Sequence, residues 1–92
     1  MSRYRYKAAP RFWKSFRKLN PRQQESARKA WEKFKEDPFH PSLRTHKIHQ
    51  LSTVYGRTIH AVVIEGDLRA VFYVEGDVVW SVDIGSHAIY RA

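Results

Sequence analysis

Cysteine is absent from all 92 residues. Disulfides and thiolate metal sites are therefore excluded, which fits a reducing cytoplasm, the expected location. No apolar run exceeds about five residues, against the ~20 that a helix needs to cross a bilayer, so no membrane partner is expected. Met1–Lys7 has the cations of a signal peptide but no apolar stretch behind them. Acidic residues are also scarce, 9 against 17 Lys and Arg, for a net charge of +8. Five histidines allow a His/Asp metal site, but none of them forms an HExxH pair. His46 and His49, three apart near a strand start, fall on opposite faces. No metal and no cofactor are expected.

What is present is unevenly spread. Residues 1–35 carry 12 Lys and Arg against Glu25 and Glu32, a net of +10; residues 36–50 are neutral, and residues 51–92 carry −2. Charge concentrated in one third of a chain points to a polyanionic partner, a nucleic acid or an acidic protein segment. Hydrophobic residues at 42% and aromatics at 14% allow one compact core. The length fits a single domain over 1–92.

The periodicity changes once along the chain. Tyr4 and Tyr6 alternate with cations, as in a short strand at Tyr4–Ala8. Pro10 opens a helix whose face carries Phe12, Trp13, Phe16 and Leu19. Asn20 and Pro21 open a second, with Gln23 at the capping-box position. Ala27, Ala30, Trp31 and Phe34 form its apolar stripe, and Pro38 ends it near Asp37. Trp13, Trp31 and Phe34 are predicted to be core. Beyond the Pro38–Pro41 connector the period becomes two. Ile59–Ile64, Leu68–Val74 and Val78–Ile84 read as strands, joined by two Glu-Gly-Asp loops into a meander. The predicted fold is α+β, with an N-terminal helical hairpin packed on one face of a twisted antiparallel sheet and the other, concave face open. The first strand adds to an edge that the pattern does not specify.

Chemistry-bearing residues gather around that sheet. Arg69 begins the middle strand and shares a face with Val71 and Tyr73 by alternation. Arg57 and His60 flank the start of the preceding strand. His87 and Tyr90 follow the last strand, and Arg44, His46, Lys47 and His49 lie between helices and sheet. Cutting RNA without a metal needs a base for the 2′-hydroxyl, a cation for the phosphorane and an acid for the leaving 5′-oxygen. Histidine serves either proton role near neutrality, arginine grips phosphate bidentately, and lysine or tyrosine donates a proton where a cationic pocket lowers its pKa. Each residue also has a plainer role. His40 and His49 read as surface residues, and His46 and Lys47 as a solvated loop. Arg69 suits a cross-strand ion pair with Asp67 or Asp83. Asp83 orients Arg69 or His87, or pairs with a helix lysine. Tyr73 and Trp80 are packing residues, or stack on exposed bases.

Three segments resemble the RelE/ParE toxin superfamily: HPSLRTHKI (40–48), LRAVFYV (68–74) and DIGSHAIY (83–90). They stand in the family's order behind a helical hairpin. The resemblance is closest to the RelE-like mRNA interferases and has YafQ-like features. It implies the toxin of a type II toxin–antitoxin system, a metal-independent endoribonuclease that cleaves mRNA, ribosome-dependent in most members. The implied partners are a cognate antitoxin, the ribosome and mRNA; homo-oligomerisation is undetermined. Carried over residue by residue, Lys47 matches a basic strand position and Arg69 the phosphate-binding arginine. His87 matches a proton-transfer histidine and Tyr90 a C-terminal aromatic. His60 stands roughly where YafQ-like members carry a further histidine. In the mechanism this implies, Arg69 and Lys47 bind the scissile phosphate, His87 transfers a proton to the leaving oxygen, and Tyr90 or His46 assists as base or positions the 2′-hydroxyl. Arg44, Arg57, Lys14, Arg17, Lys18, Arg28 and Lys29 are the expected RNA-backbone contacts. Ala88 replaces the family's usual acidic residue, and His49-Gln50 its glycine. Two other readings share the fold: a ParE-like gyrase inhibitor, partly echoed by Arg91, and a non-catalytic member that only binds its antitoxin or another protein.

Overall fold

The computed structural model describes residues 3–91. Strand β1 (Arg5–Ala8) leads into helices α1 (Pro10–Arg17) and α2 (Pro21–Phe34). A short 3₁₀ turn (Pro41–Leu43), a two-residue strand β2 (His46–Lys47) and helix α3 (His49–Tyr55) follow. Strands β3 (His60–Glu65), β4 (Leu68–Glu75) and β5 (Val78–Gly85) form the meander, and a second 3₁₀ turn (His87–Tyr90) closes the chain. None of these helices is long and apolar enough to cross a membrane.

The helix starts follow local rules. Prolines occupy the first turns of α1 and α2, where a missing N–H costs nothing. Asn20 Oδ1 accepts from the Gln23 amide at 2.8 Å, and Gln23 Oε1 accepts from the Asn20 amide at 3.1 Å. Helix α2 stops at Phe34 rather than near Asp37, and its last turn unwinds over 35–37, where Glu36 and Asp37 amides both reach the Lys33 carbonyl.

The five strands lie in the order β1-β5-β4-β3-β2. The meander is antiparallel as expected, but β1 pairs with β5 in parallel, so the sheet is mixed. Parallel pairing requires a long connection, and everything from α1 to β4 supplies it. Helices α1 and α2 cover one face. There Phe34, Leu43, Val62, Phe72 and Val79 form a buried cluster joined by Tyr6, whose hydroxyl donates to the Phe34 carbonyl at 2.9 Å. A bulge in β5 opposite Val71 and Phe72 re-aims the strand. Buried Asp83 beyond it meets Arg11 of α1 at 3.4 Å, so its partner is a helix arginine rather than Arg69 or His87.

Two expectations about packing fail. Trp13 and Trp31 are not core: they are 48% and 41% exposed. Helix α1 packs on β5 and α2 on β3, which leaves an apolar groove of about 450 Å³ between them that both indoles line. The second sheet face is also not open along its length. Helix α3 and the C-terminal turn cover part of it, burying Leu51, Ile59, Ala61, Val71 and Val82 with Ile48, Tyr55, Tyr73, Ile89 and Tyr90 packed alongside. The signal for α3 is Ile48, Leu51 and Tyr55 at helical spacing, obscured by Ser52-Thr53-Val54, which disfavour helix. Gly56, at φ +67°, ends it in the left-handed conformation that glycine adopts without strain.

Candidate active site

The partly covered face brings four predicted residues together, through three separate stretches of chain. Register sets which. His46 pairs with Ala61, and Ala61 with Val71, and directly opposed residues share a face. Arg69, two residues from Val71 on β4, lies on that face and pairs with Gly85 at the end of β5. Immediately beyond Gly85 the chain turns, and His87 and Tyr90 fold back over the same strand ends. Gly85 permits this closeness, since a Cβ there would meet Ile89 Cγ2 at 2.9 Å.

Tyr90 is the centre of the cluster. The His87 ring meets it edge-on at 5.0 Å between centroids, and the His46 ring at 6.5 Å. Its hydroxyl is buried and makes no hydrogen bond among the described residues. The Arg69 guanidinium lies close enough to the hydroxyl to act on it. Burial raises its pKa, and the Arg69 cation partly offsets that. Arg69 is braced by the hairpin turn beneath it: Nη1 donates to the Gly66 carbonyl at 2.6 Å and to the Leu68 carbonyl at 3.2 Å. Among the described residues no carboxylate comes within ion-pair distance of it, contrary to the cross-strand ion pair with Asp67 or Asp83, although the Asp67 and Arg69 charges act on each other.

The two imidazoles are held in defined tautomers. His87 Nδ1 bonds the Asp67 carboxylate, which also accepts from the His87 amide at 3.4 Å. Asp67 is held below the usual carboxylate range, chiefly by this bond. An ionised carboxylate only accepts, so Nδ1 carries the hydrogen and Nε2 faces outward. His46 Nδ1 bonds the Arg44 carbonyl at 2.9 Å, and by the same logic the neutral ring has its lone pair on Nε2. Arg44 itself takes a left-handed backbone conformation (φ 50°), rare outside glycine. Asp67 is the member that sequence reasoning did not assign to the site. It stands in a Glu-Gly-Asp loop, an ordinary turn signal, and only the return of the C-terminal turn brings His87 to it.

Other predicted site residues lie elsewhere. Lys47 pairs with His60, and His60 with Phe72, so Lys47 and His60 occupy the helix-covered face, opposite Arg69. His60 stacks on Phe72 at 5.3 Å and meets Phe39 edge-on at 5.1 Å. Its pKa is lowered, first by burial and then by the Lys47 charge. It is a packed ring, not a member of the cluster. Strand alternation separates these neighbours: adjacent residues on one strand point to opposite faces. Lys14, Arg17, Lys18, Arg28 and Lys29 are exposed, on α1, the turn after it and α2, behind the sheet as seen from the cluster. Arg57 shares the cluster's face at the far end of the strands, over Tyr73.

No family model and no curated protein matches this sequence. Solved structures do. The chain superposes on the archaeal RelE of a RelE–RelB complex from Pyrococcus horikoshii OT3 with a TM-score of 0.70, 16% identity and coverage of 97% of this chain and 98% of that one. This chain has the RelE-like toxin fold. YafQ from E. coli strain BL21(DE3) matches with a TM-score of 0.64 at 10% identity, over 97% and 99% of the two chains. A copper-bound mutant toxin from Helicobacter pylori matches with 0.61 at 16%, over 94% and 97%. The agreement spans essentially whole chains.

Proposed function

We propose that this protein is the toxin of a toxin–antitoxin pair and an endoribonuclease that cuts mRNA on the ribosome without a metal. The observation that carries the reading is the cluster itself. Two imidazoles whose Nδ1 atoms are engaged flank Tyr90, beside an arginine that forms no salt bridge among the described residues. These are the three parts that transesterification of RNA requires.

In the proposed reaction, His46 Nε2, assisted by Tyr90, takes the proton of the ribose 2′-hydroxyl. The 2′-oxygen attacks phosphorus, and the bond from phosphorus to the 5′-oxygen breaks. Arg69 binds the non-bridging oxygens and holds their growing charge. His87 Nε2 gives its proton to the leaving 5′-oxygen, with the Asp67 negative charge stabilising the ring that carries it. The products are a 2′,3′-cyclic phosphate and a 5′-hydroxyl, and the net proton count is unchanged. The strongly basic helices, through Lys14, Arg17, Lys18, Arg28 and Lys29, face away from the cut and suit the backbone of ribosomal RNA, where charge neutralisation gives affinity without sequence choice.

The partner in this reading is a separately encoded antitoxin. The groove between α1 and α2 has an apolar floor, two half-exposed indoles, and Arg28 over the Phe16 ring at its rim. It fits an amphipathic helix whose polar face is acidic. Mapping RNA 5′ ends after induction in cells tests the enzymatic claim. Ribosome-phased cuts in coding sequence, lost with Arg69→Ala, are the expected result. Loss of DNA supercoiling with intact mRNA overturns it.

A further inference from the structure

We propose that Arg44 serves the site through its main chain: its left-handed backbone turns a carbonyl onto His46 and so fixes which ring nitrogen can act as base. Arg44 is then a positioning residue, and its guanidinium is dispensable. The inference rests on the nuclease reading for the role of His46, but the geometry behind it involves no RNA.

Arg44 has φ 50° and ψ 41°, and it alone among the described non-glycine residues has a positive φ. An L-residue in this region crowds its Cβ against the backbone, so the conformation persists only where the surroundings impose it. Here they do so from both sides. Ahead of Arg44, Leu43 is 3% exposed, within the cluster under the helices. The Leu43 amide donates to the His40 carbonyl at 2.9 Å, and the Arg44 amide to the Pro41 carbonyl at 3.2 Å. Behind it, Thr45 Oγ1 donates to the Pro38 carbonyl at 2.7 Å, and His46 is paired with Ala61 of β3. Leu43 belongs to one face of the sheet and His46 to the other, with only Arg44 and Thr45 between them. The chain changes faces within that step, and the left-handed residue makes the turn.

The consequence is chemical. His46 Nδ1 lies 2.9 Å from the Arg44 carbonyl. A carbonyl only accepts, so Nδ1 carries the hydrogen and the neutral ring keeps its lone pair on Nε2. In right-handed or extended backbone the same oxygen points elsewhere. The ring is then free to take the other tautomer, in which Nε2 already carries a hydrogen and cannot serve as base. The loop imposes the opposite choice on its other histidine: His40 Nδ1 accepts from the Ser42 amide at 3.1 Å, so its neutral ring carries the hydrogen on Nε2. Two histidines six residues apart are thus set in opposite tautomers by main-chain groups two residues away. Charge does not explain the conformation. Arg44 forms no ion pair among the described residues, and an arginine in ordinary backbone would present the same cation.

Substitutions separate backbone from charge. Glycine adopts the left-handed conformation freely and asparagine readily, whereas a β-branched valine strongly resists it. Arg44→Gly and Arg44→Asn, which both lack the guanidinium, are expected to keep the parental kcat on RNA. Arg44→Val is expected to lower kcat by about 10–10²-fold, the usual cost of a misplaced group, with KM little changed. Nitrogen NMR of the imidazole rings, on the full chain without RNA and at a pH where the rings are neutral, reads the tautomers directly. The parent and Arg44→Gly are expected to show His46 protonated on Nδ1. Arg44→Val is expected to lose that signature while His87, held by Asp67, keeps its own. The parent and glycine spectra decide the question even if the valine variant does not fold. A parental His46 carrying its hydrogen on Nε2, an unchanged tautomer in folded Arg44→Val, or equal losses of kcat in the Gly, Asn and Val variants overturns the proposal; the last assigns Arg44 to charge. The two readings fail separately. The expected tautomers with no RNA cleavage by the parent remove the nuclease and keep the hold of Arg44 on His46. Cleavage that needs Arg69 but is indifferent to Arg44→Val does the reverse.

Discussion

His87 gives its Nδ1 hydrogen to Asp67, a residue twenty positions upstream in the β3–β4 loop. The bond ties the C-terminal turn to the hairpin and aims the other ring nitrogen at open space. His87→Ala is expected to lower RNA cleavage about 10²–10⁴-fold, the usual weight of a general acid or base. Asp67→Asn keeps the shape and removes the charge, and is expected to cost roughly tenfold or more while shifting the pH–rate profile. Cleavage kinetics across pH check both; an unchanged profile in Asp67→Asn would remove Asp67 from the mechanism.

Arg69 is expected to be sensitive to conservative change. Lysine keeps the charge but not the planar fork or the two carbonyl contacts that brace it. Both Arg69→Ala and Arg69→Lys should lower cleavage by about 10²–10³-fold. Circular dichroism should show the parental fold in each. Full activity of the lysine variant would mean that simple charge suffices.

The His60 ring makes stability depend on pH. Its pKa is lowered from the ordinary 6.5 by burial and by Lys47. Between the lowered value and 6.5 the unfolded chain binds more protons than the folded one, so stability rises with pH. Its contribution is complete above about 6.5 and is lost as pH falls below it. Urea midpoints should therefore drop on acidification below that point, and His60→Phe should flatten the drop. An equally steep profile in the variant counts against this origin.

Asn20 offers a test of local stability remote from the cluster. Asn20→Ala removes the acceptor for the Gln23 amide, at a cost of about 1 kcal/mol. For a domain of this size that corresponds to a melting temperature lower by roughly 4–8 °C, with RNA cleavage at moderate temperature unaffected. Calorimetry measures the first and a cleavage assay the second.

That the chain divides into a first strand, two helices and a three-stranded meander follows from its residues alone. Asn20 with Gln23, the two helix-opening prolines and the Glu-Gly-Asp loops act within a few residues of themselves, so their effects are readable without a fold. Strand alternation likewise puts Arg69, Val71 and Tyr73 on one face. The tertiary structure decided what met what. The pairing of β1 with β5, the splay that exposes Trp13 and Trp31, and the α3 cover depend on contacts between distant segments. The register of β2 mattered most: a two-residue strand has no pattern of its own, and its pairing with β3 sends His46 to the cluster and Lys47 to the other side. Asp67 met His87 only because the chain end folds back over Gly85. Local propensity ranks conformations residue by residue; which side chains share a cleft is a property of how the whole sheet closes.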